Sequence, residues 1–418
     1  MEAEEAMSPV GERVRSPGLN YPTVGLASDL GDGYGLPGAA VAMSLVDDAE
    51  VDADEDAAAR ATWMAEPVVQ ELAALGPDEW AWCRAEFAFT VAAEVADVSF
   101  ETSDGWQVQL ADVPADVMAL VREQREVSAG MAGGPWWRLI VDVSADGEFV
   151  VGYDYGEDPF PADQLQAAQN YRDDIVAYPR PSLPVWLAAY LAGPTAQGRN
   201  ARTAASEAWV DGVAGRVATR VDDVAPVRDV WARWAVLAAL HIGVGSAEGP
   251  RIAPGMAWYE SGARSGATLV LLPGNRAVLS GGWWESPLLA AAYLDDEPLP
   301  DLYAGAPGWV NDAVLNIRCQ QGMLSFCYWW VDGRWECGAT NTVGELDVAT
   351  PAVWSVEATV TAMTHIGGLA SETASRDLLA AATDGAVTVA HVDAALAAVP
   401  GADVDLALNP LAAAGLIR

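Results

Sequence analysis

The hydrophobic pattern falls into two segments with different periods. Met64, Val68, Leu72 and Leu75 recur at three- and four-residue intervals, which predicts a helix that stops at Gly76-Pro77. From 80 to 100 the apolar positions alternate, with Phe87, Phe89 and Val91 followed by Val95, Val98 and Phe100, and this predicts extended chain. Asp104-Gly105 is a hairpin dipeptide, and 106–110 returns as a strand. Pro114 opens a helix that gathers Val117, Leu120, Val121 and Gln124 on one face and closes at Gly130. Trp137, Leu139, Val141 and Val143 then alternate up to a polar turn at 144–147, and Phe149, Val151, Tyr153 and Tyr155 alternate down. Ser182 and Pro184 start a helix that runs to Leu191 and ends at Gly193-Pro194. This order predicts an α+β domain over residues 60–195, with helices on one face of an antiparallel sheet.

Residues 197–203 form a polar linker, and a second α+β domain is expected over 204–372. Its first helix would present Trp209, Val213, Val217 and Val221 as an apolar face, and a second, after Pro226, would present Val227, Val230, Trp234, Leu237 and His241. Strands are predicted at 256–261, 267–272, 277–280, 313–319, 323–331 and 334–339. Helices are predicted after Ser286-Pro287 and over 351–364. The order loosely mirrors that of the first domain. Residues 373–418 read as a small helical appendix, with a helix capped by Thr388 that turns Val389, Val392, Leu396 and Val399 inward. Residues 1–59 read as a flexible arm, rich in Gly and Pro and then acidic from Asp47 to Asp56, where like charges repel and stay solvated.

Charge narrows the partners. The 418 residues carry 59 acidic and 22 basic side chains, a net −37, which disfavours binding to nucleic-acid phosphate or to anionic lipid. All 22 basic residues are arginine, so lysine chemistry of any kind is ruled out. No apolar run reaches the length of a membrane span, and Glu2, Glu4 and Glu5 stand where a secretory signal would be basic, so a cytoplasmic protein with reduced thiols is expected.

Few motifs offer chemistry. Gly33-Tyr34-Gly35-Leu36-Pro37-Gly38 has the letters of a dinucleotide loop but follows a charged, glycine-bearing stretch rather than a buried strand, so no cofactor is expected. Asp52, Asp54 and Asp56 begin like a calcium loop, yet the glycine position is Ala57 and the bidentate position is Trp63. If Asp332-Gly333 is a two-residue turn, Cys327 and Cys337 project from opposite sides of the sheet and share neither a disulfide nor a metal, so no metal site is expected. His241, His365 and His391 are scattered, no serine or cysteine carries a nucleophile signature, and no acid pair stands out among so many acids. No catalytic residue is therefore assigned. The adjacent tryptophans 136–137, 283–284 and 329–330 sit on strands or strand ends, so each pair sends one indole to either side of a sheet. The outward one needs cover, from the chain's own helices or from a partner.

One stretch of this pattern resembles a known family. Trp136-Trp137-Arg138-Leu139-Ile140-Val141, the turn, Gly147-Glu148-Phe149 and Tyr153-Asp154-Tyr155, followed by Tyr171, Asp174, Tyr178-Pro179-Arg180, Leu183-Pro184 and Trp186, are similar to the YezG-like bacterial toxin-immunity proteins over about residues 64–191. The resemblance implies a non-enzymatic binding protein that neutralises or accompanies a basic secreted toxin. Contact would be made at the acidic, aromatic strand end, Tyr153, Asp154, Tyr155, Glu157 and Asp158. A structural or secretion-accessory scaffold that binds another subunit, or a homo-oligomer, is the alternative, and an acid-pair hydrolase comes third.

Overall fold

The computed structural model describes residues 13–15 and 64–418 apart from 132, 194–196, 312–314, 339–342 and 369–370. Apart from 13–15, which form a strand, the arm expected over 1–59, with its glycine motif and aspartate run, lies outside the described residues. The chain divides into two compact units, Met1–Leu187 and Ala188–Arg418. Both are built on antiparallel sheets packed with helices, the expected α+β class.

In the first unit, β1 (Arg13–Arg15), α1 (Ala65–Ala74), β2 (Trp80–Phe89), β3 (Glu94–Thr102), β4 (Trp106–Gln109), α2 (Ala115–Ser128), β5 (Arg138–Ser144), β6 (Phe149–Asp154) and α3 (Ala168–Ala177) follow in order. The sheet runs β4-β3-β2-β5-β6, with the three-residue β1 paired on the β4 edge. The extended stretch predicted from 80 to 100 is folded back on itself. Thr90 N–H donates to the Ala93 carbonyl (2.9 Å), closing a tight turn that pairs β2 with β3. Alternation then sorts the strands into two faces. Cys83, Ala85, Phe87, Phe89, Val98, Phe100, Leu139, Val141 and Val143 point to one side, where Val68 and Leu72 of α1 and Val117 and Val121 of α2 cover them.

The second unit opens within α4 (Val185–Ala192), where the division falls. It continues with α5 (Ala201–Ala214), β7 (Thr219–Val221), α6 (Val227–Gly243), β8 (Arg251–Ala253), β9 (Met256–Glu260), β10 (Gly266–Leu272) and β11 (Arg276–Gly282). Next come α7 (Pro287–Leu294), α8 (Arg318–Gln321), β12 (Phe326–Val331), β13 (Arg334–Cys337), α9 (Val343–Ala349), α10 (Val356–Gly367), α11 (Glu372–Asp384), α12 (Val389–Leu396) and α13 (Val404–Ala413). The seven strands lie in the order β7-β13-β12-β11-β10-β9-β8. One face, with Leu269, Leu279, Phe326, Tyr328, Trp330 and Trp335, packs on α6, whose Val230, Trp234, Leu237 and Leu240 are buried. Leu378, Leu396 and Leu411 of the C-terminal helices enter that same core, so residues 373–418 pack as part of the unit. The other face, with Val278, Cys327 and Trp329, lies under Leu302, Val310, Leu315 and Leu324.

Several local expectations change. Of the strand expected over 313–319, the described residues 315–319 are not extended. The Asn316 side chain accepts from Arg318 N–H (2.9 Å), starting the short α8, which Gly322 ends in the left-handed region at φ 71. Val221 belongs to β7 rather than to the preceding helix, which stops at Gly215 (φ 68). The helix expected over 351–364 starts only at Val356, where the Ser355 hydroxyl accepts from Ala358 N–H. Tyr328 pairs with Cys337, as the turn at Asp332-Gly333 requires, and Cys327 and Cys337 sit in cores on opposite faces of the sheet, so neither can reach the other. All four cysteines are buried and none forms a disulfide. Trp136, Trp137, Trp329 and Trp330 are covered from within the chain, which leaves no partner-facing indole at these strands.

Candidate functional site

The hairpin end read as a contact site is divided between structure and surface. Tyr153 accepts a hydrogen bond at its hydroxyl from Gln124 Nε2 (3.0 Å), which ties β6 to α2. Asp154 pairs with Arg138 Nη1 (2.7 Å) and accepts from Gly156 N–H (2.8 Å). Tyr155 is half-buried, and burial raises its phenol pKa against the opposing field of Arg180. Asp158 is half-buried, and Glu157 is exposed to solvent.

The other residues that carry the family resemblance converge on Asp174, which is fully buried on α3. One carboxylate oxygen accepts from Arg125 Nη2 (2.8 Å) and from Val91 N–H (2.9 Å). The other accepts from the indole N–H of Trp137 (2.9 Å), with Arg180 Nη2 at 3.6 Å. Arg180 lies 3.7 Å above the Trp137 ring and donates to the Gly133 and Pro135 carbonyls. Burial lowers the Arg180 pKa to about 10, with Asp174 acting against it, so the guanidinium stays charged at neutral pH. Beside this cluster Trp137, Phe160, Tyr171 and Trp186 pack ring on ring. They close over Gly156, whose φ of +82 and contacts with Phe160 and Trp137 leave little room for a side chain. These residues therefore hold the sheet, α2 and α3 together. The sequence pattern assigned no element to 168–177, so it missed this cluster.

The outer face of the first sheet offers surface. Trp82 is 42% exposed and Val150 56%, and between them Ile140, Asp142, Arg84 and Glu86 line neighbouring strands. Arg84 bridges Glu86 (3.1 Å) and Asp142 (3.3 Å). Burial raises the Asp142 pKa, against Arg84 and a hydrogen bond from Trp82. Phe149, at the outer end of edge strand β6, is also exposed. Periodicity had placed the alternate strand positions correctly but could not show which sheet face would stay bare.

In the second unit a cavity of about 580 Å³ lies beside α5, lined by Arg199, Glu207, Val210, Asp211, Asp301 and Tyr303 among others. Arg199 is buried in its wall. It pairs with Glu207 (2.6 Å), donates to the Val310 carbonyl (2.6 Å) and lies 4.4 Å over the Tyr303 ring. Arg216 spans Asp211 and Asp301, at 3.5 Å from each. The wall holds neither histidine nor cysteine, and its serine and threonine have no neutral base beside them. Among the described residues no three His, Cys, Asp or Glu side chains come together as metal ligands, and no helix is long and apolar enough to cross a membrane. What the two units offer chemically is surface: charged, aromatic and partly apolar. No family model matches the chain, and no curated protein matches it.

Proposed function

We propose that this chain is a non-enzymatic binding protein of the immunity or antitoxin type, which neutralises or accompanies a basic secreted bacterial toxin in the cytoplasm of the producing cell. The reading is supported chiefly by the outer face of the first sheet, where exposed Trp82 and Val150 stand with Glu86 and Asp142, while Phe149 is exposed at the β6 edge on the other face and Glu157 is exposed beyond the far end of β6. An anionic field speeds encounter with a cationic partner, and exposed aromatic and apolar side chains supply the desolvated contact that slows release. Occlusion of the toxin's substrate path then neutralises it without bond-making. The similarity to YezG-like proteins points the same way. Tyr153 and Asp154 hold the hairpin end in place, and Tyr155, Glu157 and Asp158 are the positions at which contact is proposed.

The test is affinity purification of the tagged full-length chain from its host at low ionic strength. A basic protein is expected to be retained and to elute at about 1 M salt, where the screening length is about 3 Å. Its retention should weaken in a W82S/E157Q variant. Recovery of no basic protein at low salt counts against the reading. The scaffold alternative, association through apolar surface, is favoured by one observation, the outward face of α5.

A further inference from the structure

Helix α5 is docked inside-out. Asn200 caps its start by accepting from Arg202 and Thr203 N–H (3.0 Å each), and the side turned to the unit is small and polar. Ala204 is buried, and Asp211 accepts from Gly305 N–H (2.7 Å). Gly305 takes φ +73, and a Cβ there would overlap the backbone of Val217 and Ala218. Ala205 backs onto Gly308. The stripe that periodicity marks as the core face is left outside. Trp209 is 70% exposed, Val210 51%, Val213 71% and Val217, just past the helix end, 81%. The apolar cost of such a stripe in water is not offset by any contact within the unit.

We propose that the α5 stripe is a second docking surface, distinct from the first unit's sheet, which receives an amphipathic helix of a partner protein carrying a guanidinium or ammonium group beside its apolar face. The occupant follows from charge. Val210 belongs both to the stripe and to the wall of the 580 Å³ cavity, so a long side chain leaving a helix on the stripe reaches that cavity. There Asp301 keeps about half its side-chain surface in water (52%), whereas Glu207 is already paired with the buried Arg199 at 2.6 Å. Among the described residues Asp301 pairs with Arg216 at 3.5 Å, a surface pair of the kind that contributes little and yields readily to an incoming cation. A second copy of this chain would instead bring one net charge of −37 against another, and an anionic lipid surface is repelled in the same way.

The test uses the full-length chain and two fluorescently labelled model helices with one leucine pattern, one bearing arginine on its polar face and the other glutamate, followed by anisotropy. Simple attraction of a cationic peptide to an acidic protein is separated by the variants. W209S/V213S keeps every charge and changes only exposed side chains, so it folds as the wild type does. The arginine helix is expected to bind at least tenfold more weakly to W209S/V213S, more weakly to D301N, and unchanged to V176S, which alters an equally exposed valine on α3. The glutamate helix should not bind. Equal affinity of the arginine helix for W209S/V213S and wild type overturns the proposal. So does sedimentation showing a dimer that W209S/V213S dissolves, which would assign the stripe to a second copy. Neither result depends on the toxin reading, because the first unit's sheet is untouched.

Discussion

Replacing Asp174 by asparagine tests whether the buried carboxylate is the keystone of the first unit. The substitution keeps shape and volume but removes the charge and turns one acceptor into a donor. Every group around it is a donor: Arg125 Nη2 at 2.8 Å, Val91 N–H and Trp137 Nε1 at 2.9 Å, and Arg180 Nη2 at 3.6 Å. No flip of the amide therefore satisfies the site, and two guanidiniums are left buried without a counter-charge. Removing one partner of a buried ion pair typically costs about 3–5 kcal/mol. Losses at one site do not add, so we take the expected destabilisation as about 4 kcal/mol. With a urea dependence of about 2 kcal/mol per molar, the unfolding midpoint of the first unit should fall by about 2 M. Hydrogen exchange followed by mass spectrometry locates the effect. Amides of β5 should exchange faster in D174N, whereas those of β12 in the second unit should keep wild-type rates. Unchanged β5 exchange, or a loss below about 1 kcal/mol, would refute the keystone argument.

Two further outcomes follow from buried titratable groups. Burial, reinforced by Arg251 and opposed by Glu248, holds the His241 pKa below its ordinary 6.5. The folded state therefore binds this proton less readily than the unfolded chain, so the stability His241 contributes is complete above pH 6.5 and is lost as pH falls below it. Comparing the fall in urea midpoint between pH 7.5 and 5.5 for wild type and H241N isolates this effect, and identical falls would contradict it. Burial pushes the Cys83 thiol up to about 12 and raises Cys337 as well, and Cys319 and Cys327 are also buried. Iodoacetamide at pH 8 should leave the native thiols unmodified and label all four in urea, because the thiolate is the reacting species. Rapid labelling of the folded protein would show that these cores open.

Whether an element exists was readable where one face is buried and the other wet. The β5–β6 hairpin and α2 carry such two- or 3.6-residue periods, whereas β10 and β11, buried on both faces, read as continuous apolar runs, and the hairpin turns carry glycine or Asp-Gly. Elements were missed where burial is general or where apolar residues are few. α3 and α11 went unpredicted because their apolar positions are sparse and broken by charge. Residues 313–319 read as a strand from their apolar run, but a side-chain cap at Asn316 and a left-handed Gly322 turned their end into α8. The strand end proposed for contact reads in the sequence as acidic and aromatic. Which of its members face water depends on Arg138 and Gln124, which lie 16 and 29 residues from their partners.

By itself the sequence determined the α+β class, the absence of lysine chemistry, the strongly negative field and the separation of Cys327 from Cys337, because each depends on composition or on the two-residue alternation of a strand. Only the tertiary structure decided that Trp137, Arg125 and Arg180 brace a buried carboxylate, that the tryptophan pairs 136–137 and 329–330 are covered from within while 283–284 stay half-buried, and that the apolar stripe of α5 faces outward. Periodicity marks the apolar side of a helix, but which side is covered depends on what packs there. Around α5 the neighbours are Gly305, Gly308 and a backbone N–H, which accept alanine and an aspartate and leave the indole in water.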